Sequence, residues 1–273
     1  QQASSSLTRS GSGCHNSFLT APLSHLLMLN IKQLPVTISG IDTYSEDLKV
    51  FRFKLPLGSD FSFVPGQFVM LSLPGLAGST GRKVAKAYSI ASSPLQQEIV
   101  EVCVARFPTG ALSEPLFKKK PGDEAIITGP YGMFQLKKPV QKGTVFIAGG
   151  TGLSPLMSML RSLYAAGNKE KLWLFYGVNE PKKFLFKEEL LSYQKNSQLE
   201  LVVSTGNGGS GWKWEEGRVT DTFPKSLRQL QQDGVKNESR QFYVCGPPAM
   251  VKDTITMLEQ LGFRKENMHR EQW

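Results

Sequence analysis

The first half of the chain consists of short apolar stretches separated by turn residues. Residues 48–55, 67–73 and 99–105 have strand length, are rich in β-branched or aromatic side chains, and in the last case alternate with a period of two. Turn-forming combinations lie between such stretches at Pro65-Gly66, at Pro108-Thr109-Gly110 and at Pro121-Gly122-Asp123. Short strands without helices between them predict an antiparallel barrel or sandwich over residues 35–140.

After Gly143 the pattern changes to an alternation of apolar strands and amphipathic helices. Strands are predicted at residues 145–148, 172–178, 199–204 and 242–245. Helices are predicted at residues 155–164, 183–193, 219–232 and 248–261, with Pro224 interrupting the third and Gly262 capping the fourth. This order predicts a parallel sheet covered on both faces over residues 141–273, with ligands at the carboxyl ends of the strands. We place the domain boundary near residues 138–142.

Residues 1–34 differ from both halves, because they are rich in serine and contain no acidic residue. We predict a poorly ordered or leader segment. One interpretation is an organelle transit peptide, although only Arg9 supplies strong positive charge before Lys32. The alternative is a bacterial start at Met28, with the upstream residues foreign to the natural chain.

Composition narrows the function classes. The three cysteines are too few and too widely spaced for a disulfide framework, a metal site or an iron–sulfur cluster, and they favour a reducing compartment such as the cytoplasm. No apolar run is long enough to span a membrane. The net charge of +9 is spread along the chain and does not form a nucleic-acid-binding stripe. It indicates either an ordinary surface of mixed charge or attraction of acidic partners and anionic cofactors.

Residues 146–155 carry the sharpest motif of the second half. A predicted strand enters the glycine turn Gly149-Gly150-Thr151-Gly152, and Pro155 follows near the start of a helix. Glycines allow a diphosphate to approach the backbone, and a helix start offers free N–H groups. We interpret this segment as a dinucleotide-binding loop.

Two further segments carry candidate chemistry. Lys86, Tyr88 and Ser89 place a cation, an aromatic ring and a hydroxyl on one predicted strand, a set that suits a flavin or equally a solvated strand face. Cys245 ends a buried strand, where a structural cysteine is the simplest interpretation.

The three segments in this order resemble the ferredoxin–NADP reductase superfamily, especially its oxygenase-reductase and flavin-reductase branches, over residues 35–273. The resemblance implies an antiparallel Greek-key barrel that binds FAD, followed by an α/β domain that binds NAD(P)H. Lys86, Tyr88 and Ser89 stand at the family's Arg-x-Tyr-Ser/Thr motif, with lysine in place of arginine. Gly110 and Ser113 match its Gly-x-x-Ser/Thr pyrophosphate loop.

In the second domain the resemblance assigns Gly149, Gly150, Thr151, Gly152 and Pro155 to the nicotinamide-nucleotide motif. It assigns Cys245, Gly246, Pro247 and Met250 to the CGxxxM motif, and Glu271 and Trp273 to the family's terminal Glu-x-aromatic. By resemblance, Ser89, Cys245 and Glu271 line the site of hydride transfer, and Trp273 shields the flavin.

The resemblance implies hydride transfer from NAD(P)H to FAD and electron release to a separate acceptor such as ferredoxin, flavodoxin or an oxygenase component. Two alternatives stay open: a flavin or quinone reductase with a small-molecule acceptor, and a non-catalytic regulatory subunit. Ser204-Thr205-Gly206 lacks the arginine with which relatives bind the 2′-phosphate, which favours NADH slightly. Lys182, Lys213 or Arg218 are candidate substitutes.

Overall fold

A computed structural model describes residues 31–196, 199–231 and 234–272 of the chain. Within this part, six strands form a first, antiparallel sheet in the order β4-β3-β6-β1-β2-β5. Their bounds are β1 Lys32–Ser45, β2 Leu48–Lys54, β3 Phe68–Ala77, β4 Lys83–Ser89, β5 Ile99–Ala105 and β6 Glu124–Tyr131. A short helix, α1 (Ser113–Phe117), lies between β5 and β6.

The sheet curls into a barrel because its two outer strands meet. An antiparallel bridge joins Ile90, directly after β4, to Val102 of β5. Alternate side chains of β5 divide between two environments, since Val100, Val102 and Val104 fill the barrel interior while Cys103 belongs to a core shared with the second domain. The predicted antiparallel barrel is confirmed.

The barrel begins three residues earlier than predicted. Lys32 pairs with Gly129 and Leu34 pairs with Ile127, so the residues just before Pro35 belong to β1 and not to the segment 1–34. Backbone pairing with β6 gives these polar and apolar residues a strand partner that their own pattern does not reveal. The predicted leader otherwise lies outside the described residues.

The second sheet is parallel, with the strand order β10-β9-β8-β7-β11-β12. Its strands are β7 Val145–Gly149, β8 Leu172–Val178, β9 Leu199–Thr205, β10 Glu215–Glu216, β11 Phe242–Gly246 and β12 Met268–Gln272. The helices are α2 Leu153–Ala165, α3 Lys187–Lys195, α4 Val219–Gln231 and α5 Pro248–Gln260. Helices α2 and α3 pack on one face and α4 and α5 on the other, which confirms the predicted parallel sheet covered on both faces.

Two helix predictions need correction. Helix α3 begins at Lys187 and not at Lys183, because Phe186 adopts a left-handed backbone with φ of 52° that a helix cannot include. Helix α4 runs through Pro224 without interruption. The proline removes one backbone hydrogen bond, but Phe223 and Leu230 are fully buried and hold the helix on the sheet. Gly262 follows α5 with φ of 81°, as the predicted cap requires.

Candidate active site

A cavity of about 720 Å³, which we call the flavin cavity because the predicted flavin-binding residues line it, opens beside β4 and β5 of the barrel. The nucleotide-binding domain supplies part of its wall through Thr151 and Ser154. The barrel supplies the remainder through Lys86, Ala87, Tyr88, Ser89, Cys103, Ala105, Phe107, Thr109, Gly110, Ala111, Leu112 and Ser113. The predicted flavin-binding residues Lys86, Tyr88, Ser89, Gly110 and Ser113 therefore line one space.

Strand β4 and the loop before α1 present different chemistry to this cavity. Lys86 is exposed at the rim and offers a cation. Burial raises the pKa of Tyr88 to about 12, so its hydroxyl stays protonated and can donate a hydrogen bond. The aromatic ring, the cation and the hydroxyl of Ser89 together suit the flat ring and anionic phosphates of a flavin nucleotide.

The loop from Phe107 to Ser113 is tight enough to require glycine at position 110. A Cβ atom there would lie 2.2 Å from the Ser113 hydroxyl and 3.0 Å from the Phe107 carbonyl. The amide of Phe107 donates to the same hydroxyl at 3.1 Å. The missing side chain at Gly110 therefore lets the loop fold tightly on itself, and both Gly110 and Ser113 line the flavin cavity.

A second cavity of about 570 Å³, which we call the nucleotide cavity, lies at the carboxyl ends of β7, β8, β9 and β11. The predicted nucleotide residues in its wall are Gly149, Gly150, Pro247 and Met250. Its other lining residues are Gly177, Val178, Asn179, Ser204, Gly206, Gly217, Arg218, Val219, Thr220, Ala249 and Asp253. This position, between strands whose helices leave on opposite faces, is where open parallel sheets bind nucleotides.

The glycines of the β7 turn have separate functions. A Cβ on Gly149 would lie 2.5 Å from the Met250 sulfur, so this glycine lets the turn pack against the loop after β11. Gly150 has φ of 54° and faces open space. A Cβ on Gly152 would lie 2.3 Å from the carbonyl oxygen of Cys245, so Gly152 packs against strand β11 rather than facing the second cavity.

The remaining residues of the two predicted nucleotide motifs are Thr151, Pro155 and Gly246. Thr151 faces the flavin cavity, where its carbonyl accepts the Ser154 hydroxyl at 2.9 Å. Pro155 is buried in the first turn of α2 and contributes to the helix start. Gly246 ends β11, where a Cβ would meet the methyl carbon of Met250 at 2.8 Å.

The three predicted catalytic residues lie together. The hydroxyl of Ser89 donates to Glu271 Oε2 at 3.3 Å across the domain boundary, and Glu271 pairs in register with Cys245. Burial raises the pKa of Glu271 to about 7, against the lowering effect of the Ser89 hydrogen bond. Burial, with a smaller effect of the Glu271 charge, raises the pKa of Cys245, so the thiol stays protonated. Trp273 lies outside the described residues.

Several lining residues were not predicted as site residues. Cys103 and Ser154 face the flavin cavity, and burial raises the pKa of Cys103 to about 12. Their signal was weak, because a strand or helix pattern does not say which face a ligand will cover. Among the three basic candidates for a 2′-phosphate, Arg218 lines the nucleotide cavity, whereas Lys182 pairs with Glu180 at 3.0 Å and Lys213 is not part of the wall.

Metal-binding groups are not found in the described part of the chain, where no three His, Cys, Asp or Glu side chains cluster. Nor does any helix within the described ranges have the length and apolar character needed to cross a membrane.

Comparison with known proteins defines the class. An oxidoreductase FAD-binding domain matches residues 35–136 and an oxidoreductase NAD-binding domain matches residues 146–256, which are the barrel and the parallel-sheet domain. The FAD-binding match contains every residue that lines the flavin cavity except Thr151 and Ser154, and the NAD-binding match contains every residue that lines the nucleotide cavity. The chain belongs to the ferredoxin–NADP reductase superfamily, and it is an oxidoreductase with FAD and NAD(P)H as its cofactors.

Individual relatives agree with this assignment. Ferredoxin–NADP reductase B of Sorangium cellulosum is 28% identical over 249 residues, which cover 90% of this chain and 100% of that protein. The ferredoxin–NAD(+) reductase component of the alkene monooxygenase system of Xanthobacter autotrophicus is 32% identical over 76% of this chain and 60% of that protein. A ferredoxin NADP+ reductase from Neisseria gonorrhoeae, solved with FAD and NADP, shares the fold with a TM-score of 0.74 and 21% identity over 89% of this chain and 98% of that one.

Proposed function

We propose that this protein oxidises NAD(P)H through FAD and passes the electrons to a separate redox protein. The observation that carries the proposal is the flavin cavity itself, whose wall comes from the barrel and from Thr151 and Ser154 of the nucleotide-binding domain. A flavin held there would lie beside the domain that binds the nicotinamide nucleotide. Thr151 lines the flavin cavity and Gly150, its neighbour in the chain, lines the nucleotide cavity, so the two sites adjoin at the β7 turn. Adjoining sites suit direct transfer of a hydride between their ligands.

Residues of this chain would hold and orient both cofactors. FAD, when bound, supplies the capacity to accept a hydride and to release electrons. The residues that would hold it in the barrel line the flavin cavity and are Lys86, Tyr88, Gly110 and Ser113. Gly149, Gly150, Pro247 and Met250 would hold the dinucleotide at the carboxyl ends of the parallel strands.

The Ser89–Glu271 pair would act at the junction. The serine hydroxyl donates to the carboxyl group across the domain boundary. A carboxyl group with a pKa of about 7 can hold or release a proton near neutral pH, which suits adjustment of charge beside the reacting centre. Cys245, fully buried and protonated, would shape the nicotinamide side of this junction by packing.

The proposed acceptor is a separate protein with an acidic surface, such as a ferredoxin, a flavodoxin or an oxygenase component. Its support is the net charge of +9, together with relatives named as ferredoxin reductases. We also propose that the protein works in a reducing compartment, either the cytoplasm or an organelle. The free, buried thiols of Cys103 and Cys245 are compatible with such a compartment.

The test begins with the purified protein saturated with FAD. Under anaerobic conditions NADH or NADPH should bleach the flavin absorption, and an added ferredoxin or flavodoxin should restore it at a rate that falls with increasing salt. Free flavins and quinones serve as the comparison. Reoxidation by small molecules that is faster than by every acidic redox protein would contradict the proposed acceptor class, and a flavin that neither nucleotide bleaches would contradict the function.

A further inference from the structure

One buried arginine connects the two domains. Arg161 lies on α2 of the nucleotide-binding domain, and its side chain is 14% exposed. Its guanidinium donates to the Ala91 carbonyl at 2.9 Å and to the Glu101 carboxylate, both in the flavin-binding domain. On its own side it binds Glu189 through two nitrogens, at 2.8 and 2.6 Å.

The atoms that Arg161 contacts are close in the chain to the atoms that would hold the cofactors. Helix α2 follows the Gly150–Gly152 turn, which carries the nucleotide-binding loop. Ala91 lies two residues after Ser89. Glu101 lies two residues before Cys103 on the same face of β5, and Cys103 lines the flavin cavity. The guanidinium therefore ties the nucleotide loop's helix to two segments of the flavin cavity wall.

Neighbouring contacts hold the same interface. Lys183 forms an ion pair with Asp47 of the barrel at 2.7 Å, and the amide of Phe186 donates to the hydroxyl of Tyr44 at 3.0 Å. The Phe186 ring lies against the Arg161 guanidinium, 4.7 Å from its central carbon. Phe186 holds an uncommon left-handed backbone, which places its ring and its amide in these contacts at some conformational cost.

The chemistry of this arrangement favours a role in geometry over a role in stability. Burying a guanidinium and two carboxylates removes their hydration, which offsets much of the attraction between them. A planar guanidinium with donors in a fixed fork nevertheless defines the relative orientation of three partners, and a lysine ammonium lacks that fork. Glu101 also faces Arg52 at 3.6 Å, so its carboxylate is held from both sides.

We infer that Arg161 is a positioning residue for hydride transfer, which it serves by fixing the nucleotide-binding helix against the flavin cavity wall. The inference rests on the proposed function, because it concerns the distance between the two cofactors. It assigns Arg161 no contact with either cofactor. A displacement of the reacting atoms by about 1 Å can cost on the order of a hundredfold in rate, so a small shift of α2 would be measurable.

The test compares Arg161→Gln and Arg161→Lys with the parent by rapid mixing of the FAD-saturated proteins with NADH and with NADPH. We expect the limiting rate of flavin bleaching to fall at least tenfold in Arg161→Gln, with a smaller change in the nucleotide dissociation constant. The bleaching amplitude and the FAD affinity should stay within twofold of the parent. Arg161→Lys should recover part of the rate. Arg264→Gln, which breaks an exposed Arg264–Glu266 pair within one domain, is the matched control and should behave as the parent.

The amplitude separates positioning from folding, because a purely structural role would reduce the fraction of protein that bleaches and leave the rate of that fraction unchanged. A parental limiting rate in Arg161→Gln, or a reduced amplitude alone, would overturn the inference. If Arg161→Gln does not fold, Glu101→Gln, which keeps the Arg161–Glu189 pair, is judged by the same criteria. Failure of the parent itself to bleach would instead contradict the proposed function.

Discussion

Replacement of Gly152 by alanine tests how the β7 turn is built. The backbone of Gly152, with φ of −60°, suits any residue, so the only obstacle is space. A Cβ would lie 2.3 Å from the carbonyl oxygen of Cys245 and 2.7 Å from the amide nitrogen of Gly246. These are backbone atoms of a strand paired on both sides, by β7 and by β12, and they cannot rotate away as a side chain could.

The expected cost follows from that rigidity. Overpacking that side chains can absorb costs about 1–3 kcal/mol, and a contact with paired backbone belongs at the upper end, about 3 kcal/mol. For a domain of this size the midpoint of thermal unfolding should fall by roughly 6–12 °C. The sequence motif alone assigns Gly152 to the dinucleotide phosphates and predicts that a larger side chain there blocks their binding. In the structure Gly152 faces strand β11 instead, and Gly150 is the glycine that faces open space.

Gly150→Ala is the matched control. Its Cβ would meet nothing within 4 Å, so the cost is the left-handed backbone, about 1–2 kcal/mol. We expect Gly150→Ala to weaken NAD(P)H binding with a small loss of stability, and Gly152→Ala to lose stability first. Thermal unfolding followed by circular dichroism measures the stability, and titration with a nucleotide analogue that cannot donate a hydride measures the binding. Equal melting temperatures for Gly152→Ala and the parent, with weakened nucleotide binding, would refute the packing argument.

Substitutions at four further positions have defined outcomes. Lys86→Ala should weaken FAD binding about tenfold in a fluorescence titration, whereas Lys86→Arg should retain or improve it, because a cation at the cavity rim can contact the pyrophosphate. Cys245→Ala should slow flavin bleaching and lower the free energy of unfolding by about 1 kcal/mol, since the thiol is fully buried in the core, and unchanged bleaching would leave only the packing role. Arg218→Ala should raise the KM for NADPH about tenfold and leave the KM for NADH unchanged, as expected of a guanidinium that contacts the 2′-phosphate. Burial raises the pKa of Glu271 from its ordinary 4.5 to about 7 in the folded protein. The free energy of unfolding should therefore fall by up to roughly 3 kcal/mol as pH rises from the lower to the higher of these values. Urea titrations of Glu271→Gln at several pH values should lack this fall.

The two sheets were predictable because their patterns differ in period. Residues 99–105 alternate with a period of two and form β5 with those bounds, while apolar strands separated by helices form the parallel sheet. Element ends were less accessible. The left-handed backbone of Phe186 moves the start of α3 to Lys187. The local sequence does not predict this conformation, because contacts with Tyr44 and Arg161 from distant segments hold it.

The candidate site residues were predicted mainly from several motifs that follow one another in a fixed order along the chain. The motifs do not show which neighbouring atoms each residue faces. Gly149, Gly150 and Gly152 look equivalent in the sequence, yet one packs on Met250, one is open and one backs onto Cys245. Arg218 was one of three basic candidates, and only the fold separates it from Lys182. Such distinctions depend on which atoms of a neighbouring strand face each residue, and that is a tertiary property.

The same reasoning changes how the two domains should be regarded. Leu48, Val50 and Cys103 of the barrel belong to one buried cluster with Leu156 and Leu160 of α2, so the domains share a core. A shared core resists the sliding that a loosely joined pair of domains would show, since interior packing leaves few voids and transmits displacement. The separation of the two proposed cofactor sites would therefore depend on side-chain packing around α2. Within that apolar contact, the Arg161 guanidinium supplies the directional bonds that packing alone lacks.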